Sequence, residues 1–181
     1  NTAGGPGNAN PAQHFVRTTA TAAVDYIGIL FHGYATTHVD ALCHIFWEGK
    51  MWNGRDSTQV LSTGARAGAV DAWAQGITTR GVLLDIPRLR GEPCVTLDKP
   101  IRGWELEAAA EREGLELQPG DAVIVYGGRG AFYESNPSSV PGVRPTPGVH
   151  VDCVPVLHRC DAALLGWDML DAGPTGYEQF D

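Results

Sequence analysis

The sequence predicts an α/β fold, because short apolar segments of strand character alternate with segments of helical character. Three strand-type segments, residues 82–86, 122–126 and 162–170, are rich in aliphatic side chains and are bounded by Gly, Pro or Asp. Residues 103–114 are rich in Ala, Glu and Leu and end at Gly114, as helices commonly do. This alternation favours a buried sheet with helices packed on it.

The remaining segments extend the same pattern. Residues 22–33 are apolar and β-rich and predict a further strand. Residues 68–76 predict a short helix, and residues 150–161 predict another that Asp152 caps. The side chains on one face of that second helix are Cys153, Val156, Leu157 and Cys160. Residues 1–13, rich in Gly, Asn, Pro and Ala, are expected to form an extended arm.

Composition restricts the class of protein. The 181 residues are 43% hydrophobic and 19% charged, which is enough for a packed core, and without internal repeats residues 1–181 are interpreted as one domain. The net charge of −8 leaves no basic stripe for nucleic acid, and no apolar run is long enough to cross a membrane. The N-terminal residues lack the pattern of a signal peptide. The four cysteines form no C-x-x-C pair, so we expect reduced, mostly buried thiols and a cytoplasmic location.

A group of metal-type side chains lies in the stretch TTHVDALCH, residues 36–44. His38, Asp40 and His44 fall within seven positions. An imidazole and a carboxylate two residues apart suit zinc or manganese better than calcium. His44 is either a further ligand or a base beside the metal, since a free imidazole titrates near operating pH. A hydrogen-bonded His–Asp pair without metal explains the same pattern, and the residues alone leave both interpretations open.

The flanking residues add further candidates. If residues 30–40 are extended, alternate side chains share one face. The side chains on that face are then His32, Tyr34, His38 and Asp40. Phe46, Trp47 and Trp52 would form an apolar wall for a flat substrate. If a metal is bound and catalytic, it keeps one position open for water and lowers the pKa of that water toward neutrality, and a nearby unligated histidine can shuttle the proton.

The stretch YGGRG, residues 126–130, superficially suggests a phosphate-binding loop. It lacks the Walker lysine and the full dinucleotide glycine spacing, so we expect a tight turn. Arg129 is a candidate for binding a substrate carboxylate, and Asp168, at the end of a predicted strand, is a candidate to support the site.

The histidine-rich stretch resembles the signature of the metal-dependent cyclase family, which includes bacterial kynurenine formamidases and isatin hydrolases. That signature is usually H-x-G-T-H-x-D-x-P-x-H, and one branch often carries H-G-x-x-x-T-H-x-D-A-L-C-H. FHGYATTHVDALCHIFWEGKMWNG, residues 31–54, is similar to that branch. The resemblance covers nearly the whole chain in the family's order, through GPGNANPAQHF, RGVLLDIPRLRG, LQPGDAVIVYGGRG and PGVHVDCVPVLHRCDAALLGWD.

The resemblance implies specific residue roles. His38 and Asp40 match metal ligands, and His44 matches the catalytic histidine. The family's first ligand histidine aligns with Tyr34, so that ligand is either lost or replaced by His32. Leu42 replaces the usual proline. The remaining family ligands come from a C-terminal segment that this chain lacks, so we expect a fragment truncated at both ends whose site depends on an absent segment or a partner chain.

The same resemblance implies a fold and an activity. The fold is a swivelling β/β/α domain of the kynurenine formamidase type, assembled as a homodimer or homotetramer. The activity is hydrolysis of a small cyclic or aryl amide, imide or lactone, in which metal-bound hydroxide attacks the carbonyl and His44 relays the proton. Zinc is the expected metal and manganese the alternative, while Tyr34 and Trp47 are expected to contact the substrate. The second interpretation is a non-catalytic member of the fold that binds metal or ligand without turnover.

Overall fold

The structure is a computed structural model that describes residues 12–34, 36–143 and 145–173. Its strands are β1 (Gln13–Thr18), β2 (Ala23–Gly28), β3 (Lys50–Met51), β4 (Arg55–Asp56), β5 (Val60–Leu61), β6 (Gly64–Ala65), β7 (Gly81–Asp85), β8 (Ala122–Tyr126), β9 (Gly148–Val149), β10 (Leu164–Trp167) and β11 (Leu170–Asp171). Its α-helices are α1 (Ile86–Arg90), α2 (Gly103–Arg112), α3 (Arg129–Ser135) and α4 (Cys153–Arg159). Short 3₁₀ helices cover Trp52–Gly54, Ser57–Gln59 and Val70–Trp73.

A three-stranded parallel sheet forms the core of the fold, with β8 between β10 and β7. Ala122 is aligned with Gly81 on one side and with Leu164 on the other. Parallel neighbours need crossover connections, and α2 lies in the one between β7 and β8 while α4 lies in the one between β8 and β10. The α/β class predicted from the alternating segments is therefore confirmed.

Only one face of this sheet is covered in the described part of the chain. Along β7, Val82 and Leu84 are buried while Leu83 is exposed, and β8 repeats the alternation. The largest fully buried side chains are Leu84, Ile86, Ile101, Leu106, Val95, Val123, Val125 and Cys153. The helices therefore pack on one side of the sheet, and alternate side chains of its strands point to the other side.

The helices α2 and α4 pack closely against each other. A Cβ atom on Gly103 would lie 2.5 Å from the carbonyl oxygen of Asp152, so only glycine fits where α2 begins. The Asp152 carboxylate accepts a hydrogen bond from the Gly103 N–H at 2.9 Å. Asp152 is the N-cap residue of α4, as the sequence predicted, but its side chain makes no cap bond there and instead caps the first N–H of α2.

A bidentate ion pair lies between α1 and α2. Arg90 donates to both carboxylate oxygens of Glu105 at 2.6 Å, and to the carbonyls of Lys99 and Pro100. Glu105 is 2% exposed, and it also accepts from the backbone N–H of Arg102. The hydrogen bond to Glu105 raises the pKa of Arg90 above its usual value. Both charges are thus fully partnered, which is the condition for burying them.

The N-terminal part of the described chain is an antiparallel hairpin of β1 and β2, in which Gln13 pairs with Gly28. All residues of both strands are exposed except Gly28, which is partly buried. The predicted arm over residues 1–13 lies largely outside the described residues. The strand predicted over residues 22–33 ends at Gly28, because the backbone bends at residues 31–34.

Two helices, α1 and α3, were not predicted from the sequence. α1 begins directly after β7, where Asp85 accepts a hydrogen bond from the Arg88 N–H and Pro87 occupies the first turn, so Pro87 starts a helix rather than only ending a strand. α3 follows the Gly127–Gly128 pair and was read as part of a turn. Over the residues described, no helix has the length and apolar character needed to span a bilayer.

The cysteines agree with the expectation of reduced thiols. All four are free; Cys43, Cys94 and Cys153 are buried, and Cys160 is partly buried. Burial raises the pKa of the Cys153 thiol to about 12, so it stays protonated and unreactive at neutral pH.

Replacing Glu105 by Gln is predicted to destabilise the fold strongly. The substitution leaves the Arg90 guanidinium largely buried without its counter-charge, which costs about 3–5 kcal/mol. Urea unfolding followed by circular dichroism measures this loss. The control is Glu107→Gln, which breaks the exposed pair with Arg159 and should cost about 0–1 kcal/mol. Equal losses in both variants would contradict the structural importance of the buried pair.

Candidate metal centre

Three side chains of the histidine-rich stretch converge on one point in space. One ligand atom each from His32, Asp40 and His44 lie within 4.8 Å of one another. The Nδ1 atom of His32 is 3.0 Å from Oδ1 of Asp40. The rings of His32 and His44 pack with centroids 3.9 Å apart. Two nitrogen donors therefore face one carboxylate, which is a ligand set typical of zinc or manganese.

His38 joins this group through Asp40. Its Nε2 atom is 3.3 Å from Asp40 Oδ1, and its ring centroid is 5.0 Å from that of His32. Its Nδ1 atom donates to the carbonyl of Thr36 at 2.8 Å, so in the neutral ring Nε2 carries the lone pair. That lone pair then faces a carboxylate oxygen. A metal ion between them would satisfy both atoms, so the residues present fit a metal ion, and a hydrogen-bonded His38–Asp40 pair without metal fits the same distance.

The local backbone explains how the group forms. Residues 31–34 and 36 are bends, and no strand covers the described residues between 29 and 46. The expected extended segment over residues 30–40 is therefore wrong, although His32, His38 and Asp40 do come together. Bends bring them together where a strand would have placed them on one face.

A turn after Asp40 places His44. The N–H of His44 donates to the Ala41 carbonyl at 2.9 Å, and the N–H of Cys43 donates to the Gly68 carbonyl at 3.1 Å. Cys43 is buried, so this turn is anchored by the one apolar side chain that points inward. His44 itself is exposed and lies beside His32. The geometry accommodates both roles that the sequence leaves open for His44, ligand and base.

An open cleft with a volume of about 550 Å³ begins at this group. Its walls contain Asp40, Ala41, Leu42, His44, Ile45, Trp47, Lys50, Met51, Trp52 and Gly54. Trp47 and Trp52 thus lie where the sequence predicted an apolar wall, whereas Phe46 is not among the lining residues. Sequence reasoning missed Lys50 and Met51, although the Asn53–Gly54 turn signal was present.

That turn returns the chain to the cleft. Asn53 and Gly54 have φ values of 62° and 69°, and β3 and β4 pair on either side of them. Lys50 then meets Asp56 across the two strands at 3.1 Å. The pair supplies a polar edge to a cleft that is otherwise mostly apolar.

Tyr34 is fixed at both ends. Its backbone carbonyl accepts a hydrogen bond from Arg129 at 3.0 Å, and its hydroxyl lies against Gly142. Its predicted contact with substrate stays a prediction.

Gly127 and Gly128 form a two-residue connection between β8 and α3, so within YGGRG the expected tight turn is limited to these two residues. The carboxylate of Asp168 accepts backbone hydrogen bonds from Gly127, Gly128 and Arg129 at 2.7, 3.0 and 2.9 Å. These are the N–H groups that a phosphate-binding loop would offer to a nucleotide. A side chain of the protein itself already occupies them.

Replacing Asp40 by Asn is predicted to weaken divalent-metal binding by at least about tenfold, because Asp40 is the one carboxylate that both His32 and His38 contact. Isothermal titration of the metal-free protein with Zn²⁺ and Mn²⁺ measures the affinity. The matched control is Asp56→Asn, which removes a partly buried carboxylate that pairs with Lys50 and accepts hydrogen bonds from Thr58. Unchanged affinity in Asp40→Asn would refute its role as a ligand.

The chain is similar to known proteins in both sequence and structure. A sequence profile of the family described as "Putative cyclase" matches residues 12–174. A crystal structure described as that of a novel cyclase superposes with a TM-score of 0.68 at 22% identity, over 87% of this chain and 57% of the other. The chain thus spans little more than half the length of that protein. A search of curated proteins gave no significant match. The match over residues 12–174 shows that the chain belongs to the cyclase family.

Proposed function

We propose that this chain is a metal-dependent hydrolase of small cyclic or aryl amides, imides or lactones. The observation that carries the proposal is the convergence of His32, Asp40 and His44 at the mouth of a cleft with aromatic walls. Membership of the cyclase family supports an enzymatic role. The combination of metal-type ligands, a spare imidazole and a cleft for a flat molecule supports this reaction class.

The ligand geometry suits a small divalent cation, with zinc preferred and manganese the alternative. Two ligand atoms that each lie about 2 Å from one ion are at most about 4 Å apart. Oδ1 of Asp40 lies 3.0 Å from Nδ1 of His32 and 3.3 Å from Nε2 of His38, so these ligand pairs already meet that limit, and His44 is left to act as the base. When bound, such a cation polarises a carbonyl group and lowers the pKa of a coordinated water toward neutrality.

The protein side chains divide the remaining tasks. Asp40 holds the cation, with His32 and His38 beside it, and the Thr36 carbonyl fixes the ring orientation of His38. His44 accepts a proton from the attacking water at a ring nitrogen and passes it to the leaving nitrogen or oxygen. This transfer stabilises the leaving group, because the leaving group departs as a neutral molecule.

The cleft selects the substrate. Trp47 and Trp52 offer exposed indole faces beside Asp40 and His44, and a flat ring lying on them places its carbonyl toward the ligand group. Tyr34 is proposed to contact the substrate as well. Because the cleft is open, it can admit a small molecule, but it does not exclude water.

A non-catalytic, metal-binding role is the second candidate. Tyr34 occupies the position where the family signature has a ligand histidine, and the convergent side chains are all exposed. A site so open to solvent binds a cation but shields little of a reaction from water. The two candidates differ in turnover and not in metal content.

The His44→Ala variant separates the two candidates. We expect it to keep its metal and to lose hydrolysis by about 10²–10⁴-fold, because only proton transfer is removed. Metal content by plasma mass spectrometry and turnover of an aryl formamide, a cyclic imide and a lactone are the two measurements. His14→Ala is the control, since His14 pairs with Asp25 on the exposed hairpin.

Two other results would change the assignment. Loss of metal in His44→Ala would make His44 a ligand. An unmodified protein that is loaded with metal but turns over none of the three substrate types would favour the non-catalytic role.

We also propose that the protein is a homodimer or homotetramer in the cytoplasm. The hairpin of β1 and β2 supports self-association, since Phe15 and Tyr26 stack at 5.9 Å on a surface that the described chain leaves exposed. The free thiols support a reducing compartment.

Replacing Phe15 by Asp is predicted to shift the protein toward monomer in light scattering, because it places a charge in the apolar hairpin surface. Trp104→Asp is the control, since Trp104 is 65% exposed on α2, outside the hairpin. An unmodified protein that is monomeric at micromolar concentration would contradict the proposal.

A further inference from the structure

The ligand-bearing segment has few regular hydrogen bonds of its own. Between β2 and the turn at His44, the described backbone forms no strand or helix. Exposed irregular segments sample many conformations, and ordering each residue costs about 1–2 kcal/mol. Precise placement of His32 therefore requires a fixed point outside the segment.

Arg129 supplies such a point. Its Nη2 atom donates to the Tyr34 carbonyl at 3.0 Å, across 95 residues of sequence. Tyr34 is two residues after His32, so the bonded carbonyl lies within about 7 Å of the His32 backbone even if the chain is extended. Holding this carbonyl restricts where His32 can go.

The Arg129 side chain is itself held in place. Its guanidinium carbon lies 5.0 Å from the ring centroid of Tyr133, and Tyr133 is 7% exposed within the core. A guanidinium stacked on a buried ring has few alternative rotamers. Its planar fork therefore presents a donor in a defined direction.

The backbone from which Arg129 departs is fixed by Asp168. Three N–H groups at residues 127–129 donate to that carboxylate, as described above. Gly128 has φ of +81°, and a Cβ atom there would lie 2.7 Å from the Pro93 carbonyl oxygen, so the turn accepts only glycine. Asp168 follows β10 directly, which connects this turn to the parallel sheet.

We propose that Arg129 is a positioning residue for the metal centre. It transfers the rigidity of the sheet edge, through Asp168 and the residue 127–129 turn, to the Tyr34 carbonyl and so to His32. The inference rests on the proposed metal-binding function and adds a residue that the histidine-rich stretch does not contain. It is distinct from the sequence-based prediction that Arg129 binds a substrate carboxylate, which stays a prediction.

Electrostatics and positioning predict opposite effects when Arg129 is replaced. Removing a positive charge near a cation site strengthens cation binding by relieving repulsion. Removing a positioning group weakens it, typically by about 10- to 100-fold. The sign of the change therefore distinguishes the two effects.

The experiment titrates Co²⁺ into metal-free protein and follows the visible absorption of the bound ion, at a temperature where circular dichroism shows every variant folded. Arg129→Gln should weaken Co²⁺ binding by about 10- to 100-fold. Arg129→Lys should lie between this variant and the unmodified protein, because lysine keeps the charge and one donor. The control Arg159→Gln breaks an exposed ion pair on α4 and should change the affinity by less than about twofold.

The outcomes separate the two proposals. Unchanged or stronger Co²⁺ binding by Arg129→Gln, with normal binding by the unmodified protein, would overturn the positioning role and leave the metal site standing. Absence of Co²⁺ binding by the unmodified protein would overturn both. A merely structural role for Arg129 would lower the thermal midpoint without changing the affinity of the folded variant.

Discussion

The ion pair between Arg90 and Glu105 holds the helical layer in its place on the sheet. Four donor contacts from one guanidinium join α1, α2 and the carbonyls of Lys99 and Pro100. Because α1 follows directly from β7, the pair also sets the position of α2 over that strand. Buried charges are tolerated only when every donor and acceptor is satisfied, so this pair leaves little freedom in how the helices pack.

The sheet that these helices cover positions the residues that contact the histidine-rich segment. Its strands are parallel, so their carboxyl ends lie at one edge, and the turn after β8 meets Asp168 after β10 at that edge. Loops at such an edge carry functional groups in many α/β proteins, because rigid strands fix the point at which each loop departs. Here the edge reaches the histidine-rich segment through Arg129 and Tyr34.

Several exposed surfaces of the described chain carry apolar side chains. The sheet leaves Leu83 and Ile124 exposed, and the hairpin leaves five large apolar or aromatic side chains exposed: Phe15, Val16, Val24, Tyr26 and Ile27. Large apolar surfaces are unfavourable in water, and they commonly mark contacts with other protein segments or subunits. The candidate metal centre is exposed as well, since His32, Asp40 and His44 all lie at the surface of the described chain.

Much of the fold and part of the site follow from the sequence by itself. The apolar runs of β7 and β8 and the Ala- and Glu-rich helix α2 are local signals, and the structure has each close to its predicted bounds. The spacing of His38, Asp40 and His44 is also a local signal, because the types of side chain themselves determine which ligands they can offer to a metal. The sequence did not determine that β7 and β8 are covered on one face only, that Asp152 caps α2, or that bends bring His32 to Asp40. Those features depend on contacts between residues far apart in the chain, such as Arg129 with Tyr34, and only the tertiary structure brings such residues together.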